Sequence, residues 1–156
     1  MTAAATITHT IDVQIVSRLK GIPSARTFKK WLLAALPKSA TLTLRVVNAA
    51  EGRNLNSAFR GKDYATNVLT FVYHEKKSTQ LAGDIVLCAP IVVIEARAQG
   101  KTLAAHYAHL TVHGALHLAG MDHEKSRAAL AMEKKEIRIL AALGIQNPYL
   151  SGCDST

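Results

Sequence analysis

The chain has 156 residues, 49% hydrophobic and 19% charged, which suits one globular domain with a sizeable core and excludes a disordered tract. Its net charge of +8, from 19 Lys and Arg against 11 Asp and Glu, predicts attraction to a polyanion, nucleic acid first. No apolar run reaches the roughly 18 residues needed to cross a bilayer. The amino terminus lacks the basic start and apolar block of a signal peptide, and Cys88 and Cys153 fit no zinc or redox spacing. A reducing cytoplasm is the expected compartment, with no membrane partner.

Thr6 to Val16 alternates apolar and polar residues and reads as a strand. Pro23 and Ser24 open a helix, Ser24 being a plausible N-cap. Phe28, Trp31, Leu32 and Ala35 share one face of it, Lys29 and Lys30 lie on the solvated side, and Pro37 ends it. Ala40 to Asn48 is the second strand. Asn54 to Arg60 reads as a short helix. The polar segment from Arg60 to Asn67 then leads into a third strand, Val68 to Val72. Its basic, aromatic and amide side chains beside a glycine suit phosphate contact and base stacking, with Lys62, Tyr64 and Asn67 as candidates. A solvated loop without a role is the competing reading.

Leu81 to Ala89 is a fourth strand, near-continuously apolar and so expected to be buried. Asp84 inside it must either face a site or be held by structural hydrogen bonds. Cys88 reads as core. Pro90 begins a helix that runs to about Gln99, and Gly100 stops it. A long helix from about Leu103 to Leu118 follows, then another from Ser126 to Leu143, capped by Gly144. The last is charged on one side (Glu133, Lys134, Lys135, Glu136, Arg138) and carries Ile137, Leu140 and Ala141 on the other. Residues 1–5 and 151–156 read as loose ends of a single domain spanning 1–156. Early strands and late helices predict an α+β fold: one mixed four-stranded sheet with about five helices packed on it.

Five of the seven histidines fall between His106 and His123. His113 and His117, four apart on a helix, share a face. Gly120 can end that helix and reverse the chain, which could return His123 to the same face. Three imidazoles at about 2.0–2.1 Å from a zinc ion leave one coordination position for a reactant, as in catalytic sites. The spacing H-x-x-x-H-x-x-G-x-x-H is that of the metzincin proteases, so the metal-site helix should be central and the fold zincin-like. The glutamate that serves those proteases as general base is replaced by Gly114, which argues against a peptidase and for another metal-dependent hydrolase. His106 and His109 sit near the same face and read as groups supporting the ligands from behind, substrate contacts or surface residues, the last two favoured over ligation.

The segment from His113 to His123 resembles the H-G-x-L-H-L-x-G-x-D-H signature of the YbeY family of bacterial rRNA maturation factors. Phe59 to Phe71 resembles that family's Y-R-G-K-D-Y-P-T-N-V-L-S-F segment, Gly83-Asp84-Ile85 its G-D-I strand, and Leu143-Gly144 with Pro148-Tyr149 its closing residues. Ala65 stands where the family commonly has proline, and Val72-Tyr73 replaces another. The resemblance covers roughly Leu42 to Leu150. It implies a single-strand-specific endoribonuclease acting at the 3′ end of small-subunit rRNA and in ribosome quality control. It also implies one zinc ion per chain on His113, His117 and His123, and a catalytic role for Arg60. The implied partners are rRNA and the small ribosomal subunit, with a ribosomal protein or a GTPase as candidate protein partners. Asp122, Glu124, Asp84, a metal-bound hydroxide or the RNA 2′-hydroxyl could each supply the missing base or nucleophile. An assembly factor that binds RNA with little nuclease activity is the alternative function.

Overall fold

The computed structural model describes residues 7–121 and 126–150. The alternating segments form four strands: β1 (His9–Ile15), β2 (Ser39–Val47), β3 (Val68–Val72) and β4 (Gln80–Cys88). Five helices accompany them: α1 (Ala25–Ala35), α2 (Ala49–Arg60), α3 (Ala89–Ala98), α4 (Leu103–Leu118) and α5 (Ser126–Ala142). The sheet order is β1-β2-β4-β3, with β1, β2 and β4 parallel and β3 antiparallel on the edge beside β4. The mixed α+β architecture expected from the sequence is the one observed. The expected loose ends at 1–5 and 151–156 lie outside the described residues.

Alternation along β4 decides which helix covers which face. Leu81, Gly83, Ile85 and Leu87 point to one side. There α4 lies so close that a Cβ on Gly114 would stand 3.0 Å from Ile85 Cγ2. Phe28 of α1 is fully buried on this side and meets Trp31 and Tyr107 edge-to-face, at centroid distances of 5.6 and 5.8 Å. Ser24 caps α1 by accepting from the Thr27 amide, and Thr102 caps α4 by accepting from the Ala105 amide. Helix α4 is apolar nearly all round because α1, α3, α5 and the sheet enclose it. Val47, Leu69 and Val86 make a smaller core on the other side, with Leu55 of α2 and Phe71 against it.

Helix α2 begins at Ala49, five residues before the Asn54 start expected from sequence. Glycine weakens a helix signal, but Gly52 is required here: a Cβ would meet Cys88 Sγ at 3.2 Å. Glu51 in its first turn receives two hydrogen bonds from Arg45 of β2, which further fixes that start. Cys88 is buried, as expected. Helix α5 departs from expectation in two ways. Its buried stripe is Met132, Glu136 and Leu140, while Ala141 is exposed. Glu136 therefore belongs to the inward face and not to the charged side.

Candidate metal centre

Helix α4 carries His106, His109, His113 and His117 at three- and four-residue intervals, so they form a ladder along one face. Adjacent rings on it stand 6.2 Å (His106–His109) and 6.4 Å (His109–His113) apart. The helix ends at Leu118. Gly120, at φ +100°, turns the chain, and the amides of Gly120 and Met121 bond back to the carbonyls of His117 and Leu116. The helix end expected at Gly120 is thus observed. His123, Asp122 and Glu124 lie outside the described residues, so the third expected ligand and two of the candidate bases do too.

His113 and His117 line a cleft of about 430 Å³ together with Arg60, Thr66, Asn67, Thr70, His109 and Tyr149. Each histidine is oriented through Nδ1. His113 Nδ1 donates to Glu136 Oε1 at 2.6 Å, and His117 Nδ1 donates to the Met121 carbonyl at 3.2 Å. Both acceptors lack a proton to give, so Nδ1 is the donor in each ring and Nε2 the atom suited to ligation. That is the tautomer that ligates a cation, fixed from behind by an oxygen acceptor. The donor chemistry of these two residues therefore fits a metal. Among the described residues no three His, Cys, Asp or Glu side chains group as a metal site.

Glu136 meets the histidine ladder from α5, a contact that the charged pattern of that helix did not announce. Its side chain is fully buried, and its ion-pair partners among the described residues are histidines only. Oε2 accepts from the Tyr149 hydroxyl and lies 3.4 Å from His109 Nε2. Burial opposes the charge, but hydrogen bonds from His109, His113 and Tyr149 outweigh it and hold the carboxyl at about 2. Burial and the neighbouring Glu136 together push the Tyr149 phenol well above its ordinary value. A four-residue rhythm, Met132, Glu136, Leu140, was the available signal, obscured by the charged residues on either side.

Arg60 stands at the end of α2, where Gly61 adopts φ +68° and closes the helix. Its guanidinium crosses to β3 and donates from Nη2 to the Thr70 carbonyl at 3.2 Å, which brings it to the cleft. Asn67 also lines the cleft, with its amide held by Glu95 at 3.0 Å and its Oδ1 accepting from the Val68 amide. Lys62 and Tyr64 are exposed but are not among the cleft-lining residues. The Tyr64 carbonyl accepts from Asn56, which anchors that loop to α2. Asp84 resolves to its structural reading: it alternates away from α4 and accepts from the Tyr73 hydroxyl at 2.8 Å. His106 departs from the surface or substrate role expected of it. It is buried and donates from Nε2 to Glu95 at 2.9 Å, tying α4 to α3. His109 braces Tyr149 and Glu136 and also borders the cleft.

A histidine pair presented on a buried helix, with an arginine opposite, is a constellation suited to hydrolytic metal chemistry. Comparison with known proteins is consistent with this. The profile of the family described as Endoribonuclease YbeY matches residues 16–144. A relative named endoribonuclease YbeY in Aromatoleum aromaticum is 58% identical over 127 residues, covering 81% of each chain. Another of that name, in Polynucleobacter asymbioticus, is 51% identical over 146 residues, covering 90% of this chain and 94% of that one. A solution structure of a Thermotoga maritima protein superposes with a TM-score of 0.55 at 24% identity, covering 92% of this chain and 99% of that one, a likeness in fold alone. This chain belongs to the endoribonuclease YbeY family. No helix among the described residues is long and apolar enough to cross a membrane.

Proposed function

We propose that this chain is a zinc-dependent, single-strand-specific endoribonuclease that processes rRNA at the 3′ end of the small subunit and serves ribosome quality control in the cytoplasm. One zinc ion would be held by His113, His117 and His123. Family membership carries the coarser part, hydrolysis of RNA in rRNA processing. The observation that supports the finer part is the pair of Nδ1 anchors on His113 and His117, beside a cleft that Arg60 also lines.

Bound zinc would supply Lewis acidity and lower the pKa of water. The chain's own residues do the rest. Arg60 is fixed at one end by the Thr70 carbonyl, and its planar fork suits a non-bridging phosphate oxygen. Asn67, held rigid by Glu95, offers a polar wall to the same cleft. Lys62 and Tyr64, outside the cleft, are suited to the flanking strand, by charge and by stacking respectively. The excess of basic residues supports attraction to rRNA and to the small subunit.

The test is cleavage of single-stranded rRNA fragments by zinc-loaded protein, with His117→Ala and Arg60→Ala beside it. His117→Ala should lose zinc and cleavage together. Arg60→Ala should keep zinc and lose roughly 10- to 100-fold in rate, the worth of a charge-assisted phosphate contact. Equal trace cleavage by parent and His117→Ala would overturn the enzyme reading in favour of an RNA-binding assembly factor. Cleavage by Arg60→Ala at the parent rate would remove Arg60 from the mechanism.

A further inference from the structure

The geometry points to Glu136 as the positioning residue that fixes the tautomer and ring orientation of His113, through a carboxylate clamped at both oxygens. The inference rests on the metal reading above and adds to it a residue distant in sequence from the histidine signature.

The clamp is built from three elements. Helix α5 supplies Glu136, α4 supplies His113 and His109, and the segment after α5 supplies Tyr149. A carboxylate with one oxygen on a histidine can still rotate about its last bond and leave the ring. Here the second oxygen is held by the Tyr149 hydroxyl, with His109 Nε2 at 3.4 Å from it. His109 Nε2 also contacts the Tyr149 hydroxyl at 3.3 Å, so the brace is closed. The side chain of Glu136 is fully buried, so water does not compete for the His113 proton. With Nδ1 committed to the carboxylate, Nε2 is the ring atom that would act as ligand. His117 Nδ1 bonds the Met121 backbone carbonyl instead, at a longer 3.2 Å.

Two measurements test this. The first is the zinc affinity of parent and Glu136→Gln, by competition with a chromophoric chelator, with circular dichroism to establish that the variant folds. Glu136→Gln keeps the shape and loses the charge, and should weaken zinc binding about 10- to 100-fold. The second needs no variant: long-range proton–nitrogen NMR of the zinc-free parent should show His113 wholly in its Nδ1–H form. A folded Glu136→Gln that binds zinc as tightly as the parent overturns the positioning role and leaves the metal reading standing. So does a zinc-free parent with His113 protonated on Nε2. A parent that takes up no zinc overturns the metal reading, and this inference with it.

Discussion

Gly83 offers a sharp test of how the metal-site helix is seated. It lies in β4 opposite Val72 of β3, facing the end of α4. A Cβ built there would stand 2.2 Å from the Phe71 carbonyl oxygen and 2.5 Å from Leu118 Cδ1. The leucine tip could swing away, but the carbonyl belongs to the backbone of the edge strand. Gly83→Ala should therefore force β3 off β4 or lift the last turn of α4. Overpacking of this kind costs about 1–3 kcal/mol, and a backbone partner puts it at the upper end. Alanine in place of glycine in a strand returns roughly 0.5–1 kcal/mol. The net loss is about 2 kcal/mol, which for a chain of this size lowers the melting midpoint by roughly 4–8 °C. Thermal unfolding of zinc-free parent and Gly83→Ala, followed by circular dichroism, measures it. A variant that melts within about a degree of the parent would refute the close seating of Phe71 and Leu118 on Gly83.

Phe28→Ala removes the ring that meets both Trp31 and Tyr107 and should cost about 3–5 kcal/mol, read as a lower urea midpoint with unchanged slope. Burial lowers the pKa of His106 despite Glu95, so the unfolded chain binds more protons below about pH 6.5. Stability should be intact above that pH and fall as pH drops toward the folded pKa, by less in His106→Gln, as thermal melts across the range would show. The corresponding loss from Glu136 belongs to a lower window, from its ordinary 4.5 down to about 2. Binding of single-stranded RNA, followed by fluorescence anisotropy, should weaken about 20-fold between 50 and 200 mM salt if some three phosphates are contacted. A flat salt response would remove the electrostatic part of the reading.

The sheet and the histidine ladder were legible because each depends on local periodicity. Period-two alternation marks β2, and His113 and His117 declare their shared face by spacing alone. What sequence did not reveal depends on tertiary choice. Glu133, Lys134, Lys135 and Glu136 are adjacent charges, and nothing local says which of them faces inward. The packing of α5 on α4 selects Glu136, because His113 there offers it a proton. In the same way Gly52 looks like a helix breaker until Cys88 stands 3.2 Å from where its Cβ would be. His106 reads as one more rung of the ladder until Glu95 of α3 claims it.

Gly114 joins the two kinds of signal. In sequence it is the substitution that removes a protease's base, and in space it is the contact between α4 and β4. Its Cβ would meet Ile85 Cγ2 at 3.0 Å and Cδ1 at 3.4 Å, a tight fit against a side chain that can yield by a few tenths of an ångström. Gly114→Ala gains about 1 kcal/mol of helix propensity against that strain, so it should fall within about 1 kcal/mol of the parent. Gly114→Glu is a different matter. Its longer side chain would be driven toward a buried apolar strand, adding an unpaired carboxylate to the overpacking, at a cost of at least about 3 kcal/mol. Restoring the protease residue should therefore lower the melting midpoint by roughly 6 °C or more and confer no peptidase activity. If Gly114→Glu melts with the parent, the side chain has found solvent, and α4 does not press this face against Ile85.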